Sequence, residues 1–130
     1  MTYLDVSVVA ANFNNAAFLV DYFESWLSST AQPMEHIFID DGSTDESLAI
    51  ARSYESKLPN LVILAFKNNQ GFAHALNAGI ERANGKYIMR IDPDDMVLPE
   101  RLAQQYAALE HGTVQVVGGN ARIFNSATGR

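Results

Sequence analysis

Asp92, Asp94 and Asp95 crowd into Lys86 to Pro99, KYIMRIDPDDMVLP, where an apolar strand pattern runs straight into a helix start. Carboxylates placed this closely repel one another, and the repulsion must be offset by a bound cation or by hydrogen-bond donors. The same residues also suit a turn and a helix cap, because Asp is favoured just before helices. Arg90, two residues ahead, is unusual inside an apolar strand. It reads first as a partner for one of these carboxylates and second as a direct substrate contact. Two further polar segments follow strand-like runs in the same way: NFNN at Asn12 to Asn15, and DDGSTD from Asp40.

The elements that would position these groups alternate along the chain. Val6 to Ala11 is a β-branched apolar run with the look of a strand buried on both faces. Phe18, Leu19, Tyr22, Phe23, Trp26 and Leu27 then recur at helical spacing, a packing stripe with Asn14 or Asn15 placed as cap. His36 to Asp41 is a second strand, and Ser43 and Glu46 have the spacing of a capping box for a helix to about Ser56, with Leu48, Ala51 and Tyr54 inward. Leu61 to Phe66 is a third buried strand. After the KNNQG loop a third helix would bury Phe72, Leu76, Ile80 and Ala83, with Gly85 as its left-handed terminus. Gly79 in that helix costs roughly 1 kcal/mol against alanine, which points to close backbone packing. Tyr87 to Asp92 is strand four. Pro99 fits the first position of a fourth helix that buries Leu102, Tyr106 and Leu109 and closes at Gly112. Val114 to Val117 and Ala121 to Phe124 are further short strand candidates. Four strand–helix alternations with crossover-length connections predict an α/β three-layer sandwich, with helices on both faces of a mostly parallel sheet. Ligands bind such sheets beyond the carboxyl ends of the strands, so the three polar segments should share one crevice.

Composition narrows the partners. The chain has 130 residues, 48% hydrophobic and 18% charged, and reads as a single domain over 1–130. Nine Lys and Arg against fifteen Asp and Glu give a net charge of −6, with the basic residues scattered, so no nucleic-acid partner is expected. An anionic ligand would need a metal or helix N-termini to receive it. There is no cysteine, which excludes disulfides and thiolate metal sites. No apolar run approaches the roughly 18 residues that span a bilayer, and no export signal opens the sequence. The chain therefore reads as cytoplasmic, with any attachment to the inner face of the membrane left to parts not present in it. His36, His74 and His111 are too scattered for a metal site and read as surface or helix-end residues. A divalent ion held by one or two of the aspartates would keep positions open for diphosphate oxygens and neutralise charge on a departing nucleoside diphosphate. Asp41, farther along the same rim, would accept hydrogen bonds from a base or ribose.

Taken in order, VSVVAANFNN, IFIDDGSTDES, NNQGFAHALNAGIERANGKYI and RIDPDDMVLPERL resemble the family 2 glycosyltransferases, with the Rossmann-like GT-A nucleotide-diphospho-sugar fold. The likeness covers nearly the whole chain. It implies a nucleoside-diphosphate sugar as donor and transfer, with inversion, to a hydroxyl of a carbohydrate or lipid-linked acceptor in polysaccharide biosynthesis. By the same likeness Ala11, Asn12, Phe13, Asp41 and Asp92 bind the nucleotide, and Asp92 and Asp94 match the acidic ends of the DXD motif. Asp94 is the foremost ligand to Mg²⁺ or Mn²⁺, and Asp95 is a loop, cap or sugar-contact residue. The chain departs from the family where Pro-Thr-Tyr-Asn is usual and Ala11, Asn12, Phe13 and Asn14 stand here. Leu76 replaces an arginine common in the third helix, and Arg90 an apolar residue before the motif. The family's catalytic base and acceptor site lie in a second half expected outside these residues, making this the nucleotide-sugar-binding half. Two other readings stay open. One is a non-catalytic nucleotide-sugar module. The other is a phosphatase of the haloacid dehalogenase type, although IDDGST lacks the two-residue spacing of that family's DxDGT motif.

Overall fold

The computed structural model describes residues 2–119. In chain order the elements are β1 (Thr2–Asn12), α1 (Ala16–Leu27), β2 (Ala31–Asp40), α2 (Ser47–Ser53), β3 (Leu61–Ala65), α3 (Phe72–Arg82), β4 (Tyr87–Arg90) and α4 (Arg101–Glu110). All strand pairings are parallel and the sheet runs β3-β2-β1-β4. The expected α/β architecture is present. Only β1 and β2 are interior, however. β3 and β4 are the edges among the described residues, so β3 is only half-buried rather than a core strand.

The period-two alternation of β1 divides the core between the two faces. Val8 and Ala10 point to one side, packing with Phe38 and with Leu19, Tyr22, Phe23 and Trp26 of α1, Ala51 of α2 and Leu102 of α4. Val9 and Ala11 point to the other, packing with Ile37, Ile39 and Ala75 of α3. The aromatic stripe of α1 is core, as its spacing predicts, except that Phe18 stays exposed. His36 is also core, not surface. It lies fully buried in β2 with the Tyr22 hydroxyl 2.7 Å from Nε2, and burial pushes its pKa down to about 3, so the ring is neutral.

Helix α3 corrects the periodicity reading. Ala75 and Gly79 are buried, while Phe72 and Ile80 are exposed and Leu76 and Ala83 flank the contact. Close approach sets the phase: a Cβ on Gly79 would stand 2.5 Å from Val9 Cγ1 and 2.6 Å from Ile39 Cδ1. The small residues face the sheet and the large ones are turned outward. Gly85 is not in the left-handed region but is another close approach, with a Cβ there lying 2.5 Å from the Ser7 nitrogen. Gly112, at φ +86°, does close α4. That helix starts at Arg101 rather than Pro99, whose carbonyl instead accepts Thr30 N–H at 2.9 Å. Helix α2 ends at Ser53, short of Ser56. Val114 to Val117 forms no strand, and Ala121 to Phe124 lies outside the described residues. Among the described residues no helix is long and apolar enough to cross a membrane.

One buried charge ties α3 to the sheet from below. Glu35 accepts hydrogen bonds from Ser7 Oγ and Asn84 N and lies 3.5 Å from the Arg82 guanidinium. Desolvation alone would raise its pKa, but these donors and the arginine outweigh it and hold the carboxyl below its usual range. Two outcomes are expected. Gly79→Ala should destabilise the protein by about 1–3 kcal/mol in denaturant unfolding, despite its better helix propensity, because the methyl overpacks Val9 and Ile39. Glu35 contributes stability that is present above its unfolded pKa and lost as pH falls through the lowered folded value. Glu35→Gln should therefore flatten the acid limb of the stability–pH curve below about pH 5, and a curve unchanged from wild type would refute that role.

Candidate functional site

Asn12 and Asp40 are register partners at the carboxyl ends of β1 and β2, exposed to only 1% and 2%. The Asn12 amide donates to Asp40 Oδ1 at 3.1 Å, and Ser43 donates to the same carboxylate through its hydroxyl at 2.6 Å and its backbone N–H at 3.2 Å. Asn14, held at φ +55°, accepts Thr44 N–H at 2.8 Å through its side chain. Asp45 Oδ2 accepts Ala16 N–H at 3.0 Å and Oδ1 accepts Ser47 N–H at 2.9 Å. Desolvation raises the Asp45 pKa, and the bonds from Ser47 and Ala16 more than reverse it. The helix caps are thus exchanged between loops. Neither Asn15 nor a Ser43/Glu46 box caps its helix, because Ser43 is committed to Asp40 and a single aspartate serves the starts of both α1 and α2.

Asp41 performs the same task one loop further on. Its carboxylate accepts Gln70 N–H at 2.7 Å, Gly71 N–H at 3.1 Å and the Asn69 amide at 3.1 Å, and its own N–H donates to Asn12 O at 2.8 Å. Gly42 makes the approach possible. It sits at φ +70°, and a Cβ there would be 2.5 Å from both Asn68 C and Asn69 N. The segment ahead of α3 is thereby strapped to the end of β2.

Between these segments lies a cleft of about 170 Å³ lined by Ala11, Asn12, Phe13, Asp41, Asn69, Gly71, Phe72 and Ala75. The structure therefore gathers Ala11, Asn12, Phe13 and Asp41, whereas Asp92 and Asp94 are not among its walls. Phe13 and Phe72 are both about half exposed and offer ring faces there. Sequence reasoning missed Asn69, Gly71 and Phe72. Their signal was a polar loop at a strand's carboxyl end followed by an aromatic at a helix start, but Phe72 was placed in the core stripe.

Asp92, Asp94 and Asp95 form the second group, each offering an oxygen within 4.8 Å of the others. A turn closed by Asp95 N–H to Asp92 O at 3.0 Å folds them together. Partial desolvation and then the charges of Asp94 and Asp92 push the Asp95 pKa up. An all-oxygen set under mutual repulsion suits a hard divalent cation such as Mg²⁺ or Mn²⁺. Arg90 pairs with Asp92 Oδ1 at 3.3 Å, as its position suggests, and its guanidinium lies 5.3 Å from the Phe72 ring centroid. The contacts Asp41–Gly71, Phe72–Arg90 and Arg90–Asp92 thus connect cleft and carboxylates along one rim. Asp40, the aspartate ahead of Asp41 in IDDGST, is buried and accepts hydrogen bonds from Asn12 and Ser43, while the motif's nucleophile position falls on Ile39.

Glycosyltransferase GlyG of Streptococcus pneumoniae is 34% identical over 124 residues, 95% of this chain and 41% of that protein. The amylovoran biosynthesis glycosyltransferase AmsE of Erwinia amylovora is 39% identical over 101 residues, covering 77% of this chain and 38% of its own length. The chain thus spans less than half the length of these curated relatives. Among solved structures, S. aureus TarS superposes with a TM-score of 0.73 at 26% identity, over 85% of this chain and 20% of TarS. The mannosyltransferase PcManGT of Pyrobaculum calidifontis, in complex with GDP-Man and Mn²⁺, superposes at 0.76 with 24% identity, over 85% of this chain and 33% of its own, a likeness of fold. Residues 7–130 match glycosyl transferase family 2, and with the parallel sheet and its rim of polar loops this chain belongs to that family.

Proposed function

We propose that this chain binds the donor of a glycosyltransferase, a nucleoside-diphosphate sugar, for transfer to a carbohydrate or lipid-linked acceptor hydroxyl with inversion. The single observation that carries the reading is the continuity of the rim. A cleft with two phenylalanines and a strapped loop sits at one end, a three-carboxylate cluster at the other, and Phe72 and Arg90 lie between. A nucleotide needs a stacking surface and hydrogen-bond groups for its base, and charge compensation for its phosphates. Phe13 and Phe72 supply the first. The side-chain carbonyl oxygens of Asn12 and Asn69 supply the second. Asp41 has most of its acceptor capacity already used, so its main part is to hold the 68–71 loop as a wall, with any remaining lone pair turned to the base or ribose.

Asp94 and Asp92 would hold Mg²⁺ or Mn²⁺, and Asp95 is close enough to join them. Such an ion, when bound, neutralises charge on the diphosphate as it leaves. The chain's own residues orient the nucleotide and exclude water from its base. A general base for the acceptor hydroxyl, typically worth about 10² to 10⁴ in rate, is not among the groups assigned here. We place it, with the acceptor site, in the additional length that the relatives have. A nucleotide-sugar module without turnover shares every donor contact and is distinguished by the fate of the sugar.

Calorimetric titration of a panel of nucleoside diphosphates with and without Mn²⁺ tests the reading. Binding should tighten with Mn²⁺, and Asp94→Ala should remove that gain, at least about tenfold, or 1.4 kcal/mol. Affinity indifferent to both metal and Asp94 would defeat the metal-bridged reading. Gly42→Ala should weaken nucleoside binding whether or not metal is present, because the methyl pushes the 68–71 loop off Asp41. Unaltered nucleoside affinity in that variant would show the loop to be no part of the site.

A further inference from the structure

Arg90 is the one group among the described residues that touches both halves of the rim, and the donor reading above gives it no contact with the ligand. It lies on β4, opposite Val9, and Ile91 N–H donates to Val9 O at 3.2 Å just beyond it. In register with Val9, whose side chain packs toward α3, Arg90 lies on the same face of β4, an edge strand among the described residues, and is exposed there. The guanidinium sits 5.3 Å from the Phe72 ring centroid on one side and 3.3 Å from Asp92 Oδ1 on the other. Among the described residues it is the only cation within 4.0 Å of the aspartates. Both members of the ion pair are about half exposed, 54% and 46%, so the pair is screened by water and readily exchanged.

We infer that Arg90 is the diphosphate contact of the donor site, and that in the absence of metal it occupies Asp92 in the cation's place. The inference rests on the donor reading and deepens it. A nucleotide whose base lies against Phe72 and whose phosphates reach Asp92 must pass along this guanidinium, whose planar fork of N–H donors matches phosphate oxygens. A divalent ion held by Asp92 would compete with Arg90 for that carboxylate and would free the guanidinium to meet the diphosphate. Arg90 therefore opposes binding of metal alone and favours metal together with diphosphate. A residue that merely propped up the loop would move both affinities in the same direction.

Three titrations on wild type, Arg90→Gln and Arg90→Lys test this: Mn²⁺ alone, nucleoside alone, and nucleoside diphosphate in saturating Mn²⁺. Arg90→Gln should bind Mn²⁺ several-fold more tightly, bind nucleoside as wild type does, and lose at least about tenfold in diphosphate affinity. Arg90→Lys should keep part of that affinity, as a point charge without the fork. Equal diphosphate affinity in wild type and Arg90→Gln would overturn the inference and leave the donor reading intact. So would a parallel loss of nucleoside binding, which marks a structural role. Wild-type protein that binds no nucleoside diphosphate at any Mn²⁺ concentration would overturn the donor reading itself, and this inference with it.

Discussion

A carboxylate that accepts backbone N–H groups from a neighbouring loop is the interaction on which the rest of this molecule depends. Asp41 with Gln70 and Gly71 fastens the segment ahead of α3 to the end of β2, Asp45 with Ala16 and Ser47 joins the starts of α1 and α2, and Asp40 with Asn12 and Ser43 ties its own loop to the end of β1. Hydrogen bonds to an ionised acceptor are worth about 1.5–3 kcal/mol each, against about 1 kcal/mol for neutral pairs. Loops of only a few residues are thereby placed as firmly as the strands they follow.

The acidic residues of the rim divide by what satisfies them. Asp40, Asp41 and Asp45 have their negative charge answered by fixed donors within the chain, so they build walls. Asp92, Asp94 and Asp95 have few such donors and press against one another, so they are left to an external charge. An acidic chain can thus present a site for an anionic ligand without a patch of lysines. One set of aspartates is spent on architecture, and on the proposed reading the other serves a cation.

Much of this was legible in the residues alone. Strand–helix alternation, the aromatic face of α1 and the Gly79 close approach follow from local pattern, and the meeting of the loops after β1 and β2 follows from the rule for ligands at parallel sheets. What was not legible depends on long-range contacts. Periodicity predicts that a helix has a buried face but not its phase. In α3 the contact with Val9 and Ile39 decides that, burying Ala75 and Gly79 and turning Phe72 out to line the cleft. The capping-box spacing of Ser43 and Glu46 is real, yet Ser43 is held by Asp40, which the pairing of β2 with β1 sets beside Asn12. His36 looked like a surface histidine because nothing nearby in sequence announces Tyr22 as its hydrogen-bond partner.

Strand order supplies the last step. Going from β1 to β2 to β3 the sheet grows in one direction, and β4 then adds on the other side of β1. The reversal leaves β1 and β4 as neighbours whose following segments diverge, opening a crevice at their carboxyl ends. Asn12, at the end of β1, belongs to the cleft; Asp92, just past β4, belongs to the carboxylate cluster. The two halves of the rim therefore meet at the switch point because the topology puts them there. Among the described residues β4 is also an edge, and Arg90 is exposed on it while it overlooks both halves. A buried central strand could not have carried a charge at that place without a permanent partner. On the proposed reading, the switch point sets the Arg90 cation where a bridging anion would lie.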